Sequence, residues 1–331
     1  MTADLGQEHT LIEIDGGSTG WSVTFSTNGE YLVSGGIENV GVWRVGDGKQ
    51  IATMEAKGVQ CLAISKDDIW IAAGTVWGWV IVWDTKTYKK VFMHKDDDQL
   101  RGVDFSPNQS HIVTASNTAT VWDVATRKQV LVLTLCHEGL VRAVKYSPQG
   151  DRIAAATQKS IRVYDSNDGR LLVDIPVGVA PWYNTGLLWP NNYLFVVSDS
   201  KVKKIEASTG TAVSEWPIPG TNGSNYACIA LSKHGEFITF SANSTIVFWD
   251  APMHTQLARI QHPRNIRSII LSPDDQFLTI GAEDGKLTIK NIRDIILAPS
   301  YSIVSIVWCW MIACQNGFIV NLPYFDLRCE N

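Results

Sequence analysis

A turn motif recurs seven times along this chain, and its spacing constrains the fold more than any other feature. The copies are "FSTNGEYLVSG" from Phe25, "ISKDDIWIAAG" from Ile64, "FSPNQSHIVTA" from Phe105, "YSPQGDRIAAA" from Tyr146, "LWPNNYLFVVS" from Leu188, "LSKHGEFITFS" from Leu231 and "LSPDDQFLTIG" from Leu271. Their second positions fall at 26, 65, 106, 147, 189, 232 and 272, a period of 39–43 residues. A unit of that size cannot bury its apolar faces alone and must stack on copies of itself.

Within each unit the order of segments is fixed. An apolar alternation such as "VRAVKYS" leads into the turn, and a second apolar run such as "RIAAA" follows. A third run comes next: "VGVWRV", "VIVWDT", "TATVWDV", "IRVYDS", "KVKKIEAS", "TIVFWDA" and "LTIKNI". A polar turn then opens a fourth run, such as "QVLVLTL" at 129–135. Period-2 alternation bounded by turn residues reads as strand. Four short strands in about 40 residues is the pattern of one propeller blade. The predicted fold is therefore all-β: a single seven-bladed β-propeller with four antiparallel strands per blade.

The seventh unit has no fourth strand before Pro299, while an isolated strand stands at the other end of the chain in "HTLIEIDGG", 9–17. A lone strand has unpaired backbone groups and needs a partner. Residues 10–14 are thus expected to be the outer strand of the last blade, closing the ring. The predicted organisation is a polar leader at 1–8, the propeller at 9–295, and an apolar C-terminal extension at 296–331.

These residues resemble the WD-repeat family. The third run carries its Trp-Asp pair at Trp83-Asp84, Trp122-Asp123 and Trp249-Asp250, softened to Trp43-Arg44 and Tyr164-Asp165, and lost at Ile205-Glu206 and Lys290-Asn291. The family's Gly-His before the first strand is missing, although His137 and His262 stand near its place. Its Asp in the turn between second and third strands is clear only at Asp284. The resemblance implies that Trp43, Trp83, Asp84, Trp122, Asp123, Tyr164, Asp165, Trp249, Asp250 and Asp284 are structural. With the family's polar network incomplete in most blades, packing carries each blade, and modest stability per blade is expected.

The innermost strand of each blade starts near one mouth of the central channel. The residue at that start is Trp21, Gln60, Arg101, Arg142, Asn184, Ala227 or Arg267. Arg and Trp are enriched among binding hot spots because they combine contact area with directed donors. Trp21, Gln60, Arg101, Arg142, Asn184 and Arg267 are therefore candidate partner-binding residues, with a solvated rim as the plainer alternative. In "TVWGWVIVWD", Trp77 is a further candidate anchor on that face, against an alternative of inter-blade packing. The function implied by the resemblance is a non-catalytic protein–protein interaction scaffold or adaptor. A second reading is a regulatory subunit that recognises phosphorylated or acidic peptides through the arginines of the ring.

Composition excludes several classes. Net charge is −5 and only three ring positions are basic, which argues against a nucleic-acid partner. No ring position is Asp, Glu, His, Cys or Ser, and there is no Gly-rich phosphate loop, HExxH or GxSxG, so no enzyme, cofactor or metal site is expected. Cys61, Cys136, Cys228, Cys309, Cys314 and Cys329 form no CxxC and read as buried thiols in a reducing compartment. With a leader lacking a basic or apolar run, the expected location is the cytoplasm or the nucleus.

Residues 295–325 hold the apolar run "IVSIVWCWMIAC" and follow the end of the repeats. Three readings stand: a segment appended to the propeller, an artefact of gene prediction, or a membrane tail anchor. Pro299, Gln315, Asn316, Gly317 and Asn321, and the lack of a basic flank, weigh against the anchor.

Overall fold

A computed structural model describes residues 10–16, 21–133, 140–179, 186–198, 200–218 and 227–296. They form seven four-stranded antiparallel sheets. Blade 1 comprises Ser22–Phe25, Tyr31–Gly35, Asn39–Arg44 and Gln50–Glu55, in that spatial order from the axis outward. Blade 2 follows with Val59–Ile64, Trp70–Thr75, Trp79–Asp84 and Lys90–Lys95. The first strand of every blade packs on the first strands of its two neighbours, so seven innermost strands surround the axis.

The last blade departs from this order as expected. Ile266–Leu271, Phe277–Ala282 and Lys286–Asn291 supply three strands, and Thr10–Asp15 supplies the fourth. Ile12 pairs with Ile289 and Ile14 with Leu287. The join is also sealed in the core: Ile14, Leu287 and Ile289 pack in one cluster with Val23, Leu32 and Trp43 of blade 1. Six further clusters fill the other seams, each drawing on two consecutive blades.

The repeated serine of the turn has a local cause. Its Oγ accepts the N–H five residues on, at Tyr31, Trp70, His111, Arg152, Phe237 and Phe277, with distances of 2.9–3.0 Å. This bond closes the turn and starts the second strand in register. Blade 5 has Trp189 in place of the serine, and its first strand shrinks to Leu187–Leu188. The turn also needs a left-handed residue: Gly29, Asp68, Gln109, Gly150, Gly235 and Asp275 all have φ between 57° and 81°.

After the third strand of blade 7 the chain forms a short helix, Ile292–Ile296, which buries Ile292 and Ile295 between blades 6 and 7. The leader and residues 297–331 of the C-terminal extension lie outside the described residues, as do Asn184 and His137. Among the described residues no helix is long and apolar enough to cross a membrane.

Candidate functional site

First strands all run in the same sense, so their starting residues gather at one mouth of the channel. Trp21 donates its backbone N–H to Gly35 at 3.1 Å, Arg101 to Ala115 at 2.8 Å and Arg142 to Ala156 at 2.7 Å. The same bond fixes three of the mouth positions in equivalent places. Gln60 and Arg267 instead sit where the pairing of the first two strands shifts register, the sign of a β-bulge. Ala227 is buried, pairs with Ala242 and itself offers no polar side chain to the mouth.

The arginines do not form a uniform open ring. Arg101 is only 6% exposed; its guanidinium donates to the Gln99 carbonyl at 3.2 Å and lies 3.9 Å from Asp98. Burial pulls its pKa below the ordinary guanidinium range, Asp98 opposes this, and neighbouring Arg142 adds to it. Burial depresses Arg142 as well. Arg267, half-buried, lies 3.9 Å from Glu283, which also accepts the carboxamide of Asn265 at 3.1 Å. Two of the three arginines thus have an acidic neighbour on their own face. The Oε1 of Gln60 is buried without a hydrogen-bond partner.

Behind the mouth, the channel is a cavity of about 440 Å³ to which every blade contributes. Its wall is largely apolar, with Leu62, Leu187, Ile229 and Ile269, and it carries one ion pair, Lys145 to Asp104 at 2.8 Å. Asp104 also accepts the N–H of Tyr146 at 2.9 Å, which ties blade 3 to blade 4. Among the described residues no group of three or more His, Cys, Asp or Glu side chains could hold a metal ion.

The Trp-Asp positions divide into buried rings and turn caps. Trp43, Trp83, Trp122 and Tyr164 are all buried. Trp43 donates to Ser34 Oγ at 2.8 Å and Trp122 to Thr114 Oγ1 at 3.0 Å, while the indole N–H of Trp249 is buried with no partner. The indole hydrogen bond is thus made in blades 1 and 3 and missing in blade 6. Asp84 accepts from Thr87 N at 2.7 Å, Asp123 from Thr126 N at 2.6 Å, Asp165 from Asn167 N at 2.9 Å and Asp250 from Met253 N at 2.7 Å.

Blades that lost the dipeptide keep an acceptor by another route. Glu206 takes Thr209 Oγ1 at 2.8 Å, Asn291 takes the N–H of Arg293 at 2.9 Å, and in blade 1 the acid moves to Asp47, which accepts Lys49 N at 3.1 Å. Asp284 accepts Lys286 N at 3.2 Å and lies 3.5 Å from Arg264. His262 is buried; its Nδ1 contacts the Arg264 carbonyl at 3.0 Å.

Trp77 stands apart from these scaffold residues. It is 65% exposed at the tip of the hairpin joining the second and third strands of blade 2, on the same face as the mouth. Its backbone carbonyl accepts Lys95 Nζ at 2.9 Å. The residue that sequence reasoning missed is Met93, 54% exposed beside it. The available signal was the outward strand position of Met93 within "KVFMHK".

The family described as "WD domain, G-beta repeat" matches residues 48–84, 86–123, 128–165 and 254–289. The chain is 25% identical over 179 residues to the Gallus gallus "Serine-threonine kinase receptor-associated protein", covering 52% of this chain and 48% of that protein. To the Homo sapiens protein of the same description it is 23% identical over 175 residues, with the same coverage of 52% and 48%. It is also 23% identical over 263 residues to the Bos taurus "Cilia- and flagella-associated protein 52", covering 71% of this chain and 41% of that protein. The chain thus spans about half the length of these curated relatives or less.

Proposed function

The chain belongs to the WD-repeat family, and on that premise we propose that it is a non-catalytic protein–protein interaction scaffold or adaptor. The observation that carries this reading is the closure of seven blades around one axis by the Ile12–Ile289 and Ile14–Leu287 pairing. A closed disc has no opening end, so the loops and mouth it presents hold their spacing when a partner arrives. Preorganisation of that kind lowers the cost of binding. The printed names of the relatives, one associated with a serine-threonine kinase receptor and one with cilia and flagella, are consistent with work inside larger assemblies.

The partner surface in this reading is the mouth, with Trp21, Gln60, Arg142 and Arg267 around it and Trp77 further out. Arg101 acts mainly by holding the Asp98–Gln99 turn against the mouth. The proposed location is the cytoplasm or the nucleus, which suits the buried Cys61 and Cys228 thiols. A photo-crosslinking residue placed at Gln60 is expected to capture protein partners in cells. The same residue at Asp168, in a turn on the opposite face, is expected to capture none. Equal yields at the two positions contradict the assignment.

One observation favours the second reading. The Arg142 charge lies close enough to Arg101 to disfavour its charged form, and an anion beside Arg101 would offset that. Replacing Arg101, Arg142 and Arg267 with Ala is expected to abolish phosphopeptide binding in this reading. Unchanged phosphopeptide affinity rejects it.

A further inference from the structure

A groove at the rim of blade 2 departs from what every other blade builds at the same place. In the third and fourth strands of blade 2, Ile81 pairs with Met93. The equivalent pairs are Gly41–Thr53, Thr120–Val132, Arg162–Asp174, Lys203–Glu215, Val247–Arg259 and Thr288–Glu13. Each of those includes at least one polar residue or a bare glycine; blade 2 alone sets two large apolar side chains opposite each other. Its hairpin is two residues longer than that of blade 3 and as long as that of blade 7: Gly74 pairs with Val80 and Gly281 with Leu287, against Ala115 with Ala119. Blade 2 places an exposed Trp77 at the tip of this hairpin.

The result is an open groove of about 280 Å³ where the seam between blades 1 and 2 reaches the rim. Trp77, Trp79, Ile81 and Met93 furnish its apolar surface, and Ala56 closes the blade 1 side. Trp77 and Met93 are 65% and 54% exposed, so apolar area is left in water; at the position of Met93 the other blades carry Thr53, Val132, Asp174, Glu215, Arg259 and Glu13, of which only Val132 is apolar, and it faces Thr120. The rim is basic. Lys57 and Lys90 line the groove, and Lys95 sits 5.6 Å over the Trp79 ring while bonding the Trp77 carbonyl. The acid at this rim is Glu55, 3.9 Å from Lys90.

We propose that this groove docks a short segment of a partner protein in which one aromatic or long aliphatic side chain is flanked by Asp or Glu. The anchor enters between Trp77 and Met93, and the acids meet Lys57, Lys90 and Lys95. An apolar anchor with charged flanks draws affinity from desolvated contact and selectivity from the charges. The proposal rests on the interaction-scaffold reading but assigns it a surface distinct from the channel mouth.

The test uses the full chain and fluorescein-labelled hexapeptides with a central Phe between Asp residues, beside matched peptides with central Ala or with Lys flanks. The Phe–Asp peptide is expected to saturate, and both controls to bind at least roughly tenfold more weakly. Trp77→Ala and Met93→Asp are each expected to cost at least roughly tenfold in affinity, and Lys57→Glu with Lys90→Glu to shift preference to the Lys-flanked peptide. Both apolar targets are exposed, so melting temperatures are expected to stay at the wild-type value. The proposal is overturned if no peptide saturates up to about 1 mM, if Lys flanks bind equally well, or if Met93→Asp leaves affinity unchanged. Partner capture at Gln60 that persists in the Met93→Asp variant, together with any of those results, removes the groove and leaves the scaffold reading standing.

Discussion

Asp275 holds the backbone N–H of Lys233 with both carboxylate oxygens, at 2.9 and 3.2 Å, across the seam between blades 6 and 7. Asp68 does the same to Thr27 between blades 1 and 2, at 2.8 and 3.1 Å. Both aspartates are left-handed, with φ of 57°, at the turn position where blades 1, 4 and 6 use glycine and blade 3 uses Gln109. Where the preceding blade puts proline at the donor position there is no N–H to capture, and the turn carries glycine: Gly150 lies against Pro107 and Gly29 against Pro273. Between blades 2 and 3 the turn residue is Gln109, whose carboxamide donates to the Pro107 carbonyl at 2.7 Å, so the ties at Asp68 and Asp275 are two added inter-blade bonds rather than a feature of every seam.

The tie at Asp275 has a mutational and a pH signature. Asp275→Ala removes the acceptor and keeps the left-handed strain, and is expected to cost about 1–2 kcal/mol in urea unfolding. Asp275→Gly relieves the strain and is expected to cost less. Burial is the largest influence on this carboxyl and raises its pKa above the usual 3.8, against the Lys233 hydrogen bond. The folded state therefore keeps the proton longer than the unfolded chain does. The contribution of Asp275 to stability falls as pH rises from about 3.8 through the raised folded value. Asp275→Asn has no proton to lose, so its melting temperature is expected to gain on wild type across that rise. A variant that loses ground there contradicts the assignment.

The turn caps of the third strand carry the opposite sign. Hydrogen bonds from Thr87 lower the Asp84 carboxyl, those from Thr126 lower Asp123, and that from Asn167 leads the lowering of Asp165. Their stabilisation is fully present above the usual 3.8 and is lost as pH falls through the lower folded values. Asp84→Asn, Asp123→Asn and Asp165→Asn together are expected to flatten the acid limb of a melting-temperature profile. An acid limb as steep as that of wild type counts against the caps.

Closure of the ring depends on a strand far from its partners in sequence. Ile14 is 3% exposed and packs between blade 7 and blade 1. Ile14→Ala is expected to cost about 2–4 kcal/mol, as for other buried aliphatic truncations. Equilibrium unfolding measures this, and a loss below about 0.5 kcal/mol shows that the join does not carry the disc.

Cys61 is fully buried, and desolvation pushes its thiol up to about 12. The thiolate is the nucleophile, so alkylation by iodoacetamide at pH 8 is expected to reach Cys61 only after unfolding. Mass spectrometry of the labelled native protein checks this, and rapid native labelling of Cys61 contradicts its placement.

Much of this architecture is written in local pattern. Period-2 alternation and the serine turn set strand order and blade count, and the unpaired "TLIEID" at one end answered the missing strand at the other. The candidate mouth was less legible, because its exposure is decided by neighbours. Arg101 follows Asp98 and Gln99 in a loop that folds back on it, and no periodicity announces that. Met93 is one of many outward residues on outer strands. Its meaning comes only from comparing cross-strand pairs among blades and from where blade 1 ends at Glu55. The Asp–N–H ties lie between: the pairing of Pro with Gly and of Thr or Lys with Asp is in the sequence, but across turns about 40 residues apart.

The most direct test of the scaffold account is quantitative affinity capture from native-cell extract. It compares the intact chain, a mouth variant with Trp21→Ala, Arg142→Ala and Arg267→Ala, and a control with Asp168→Lys on the opposite face. The account predicts one reproducible set of proteins retained by the intact chain and the control, and lost from the mouth variant. An identical set on all three, or no enrichment over bare resin on any, contradicts it.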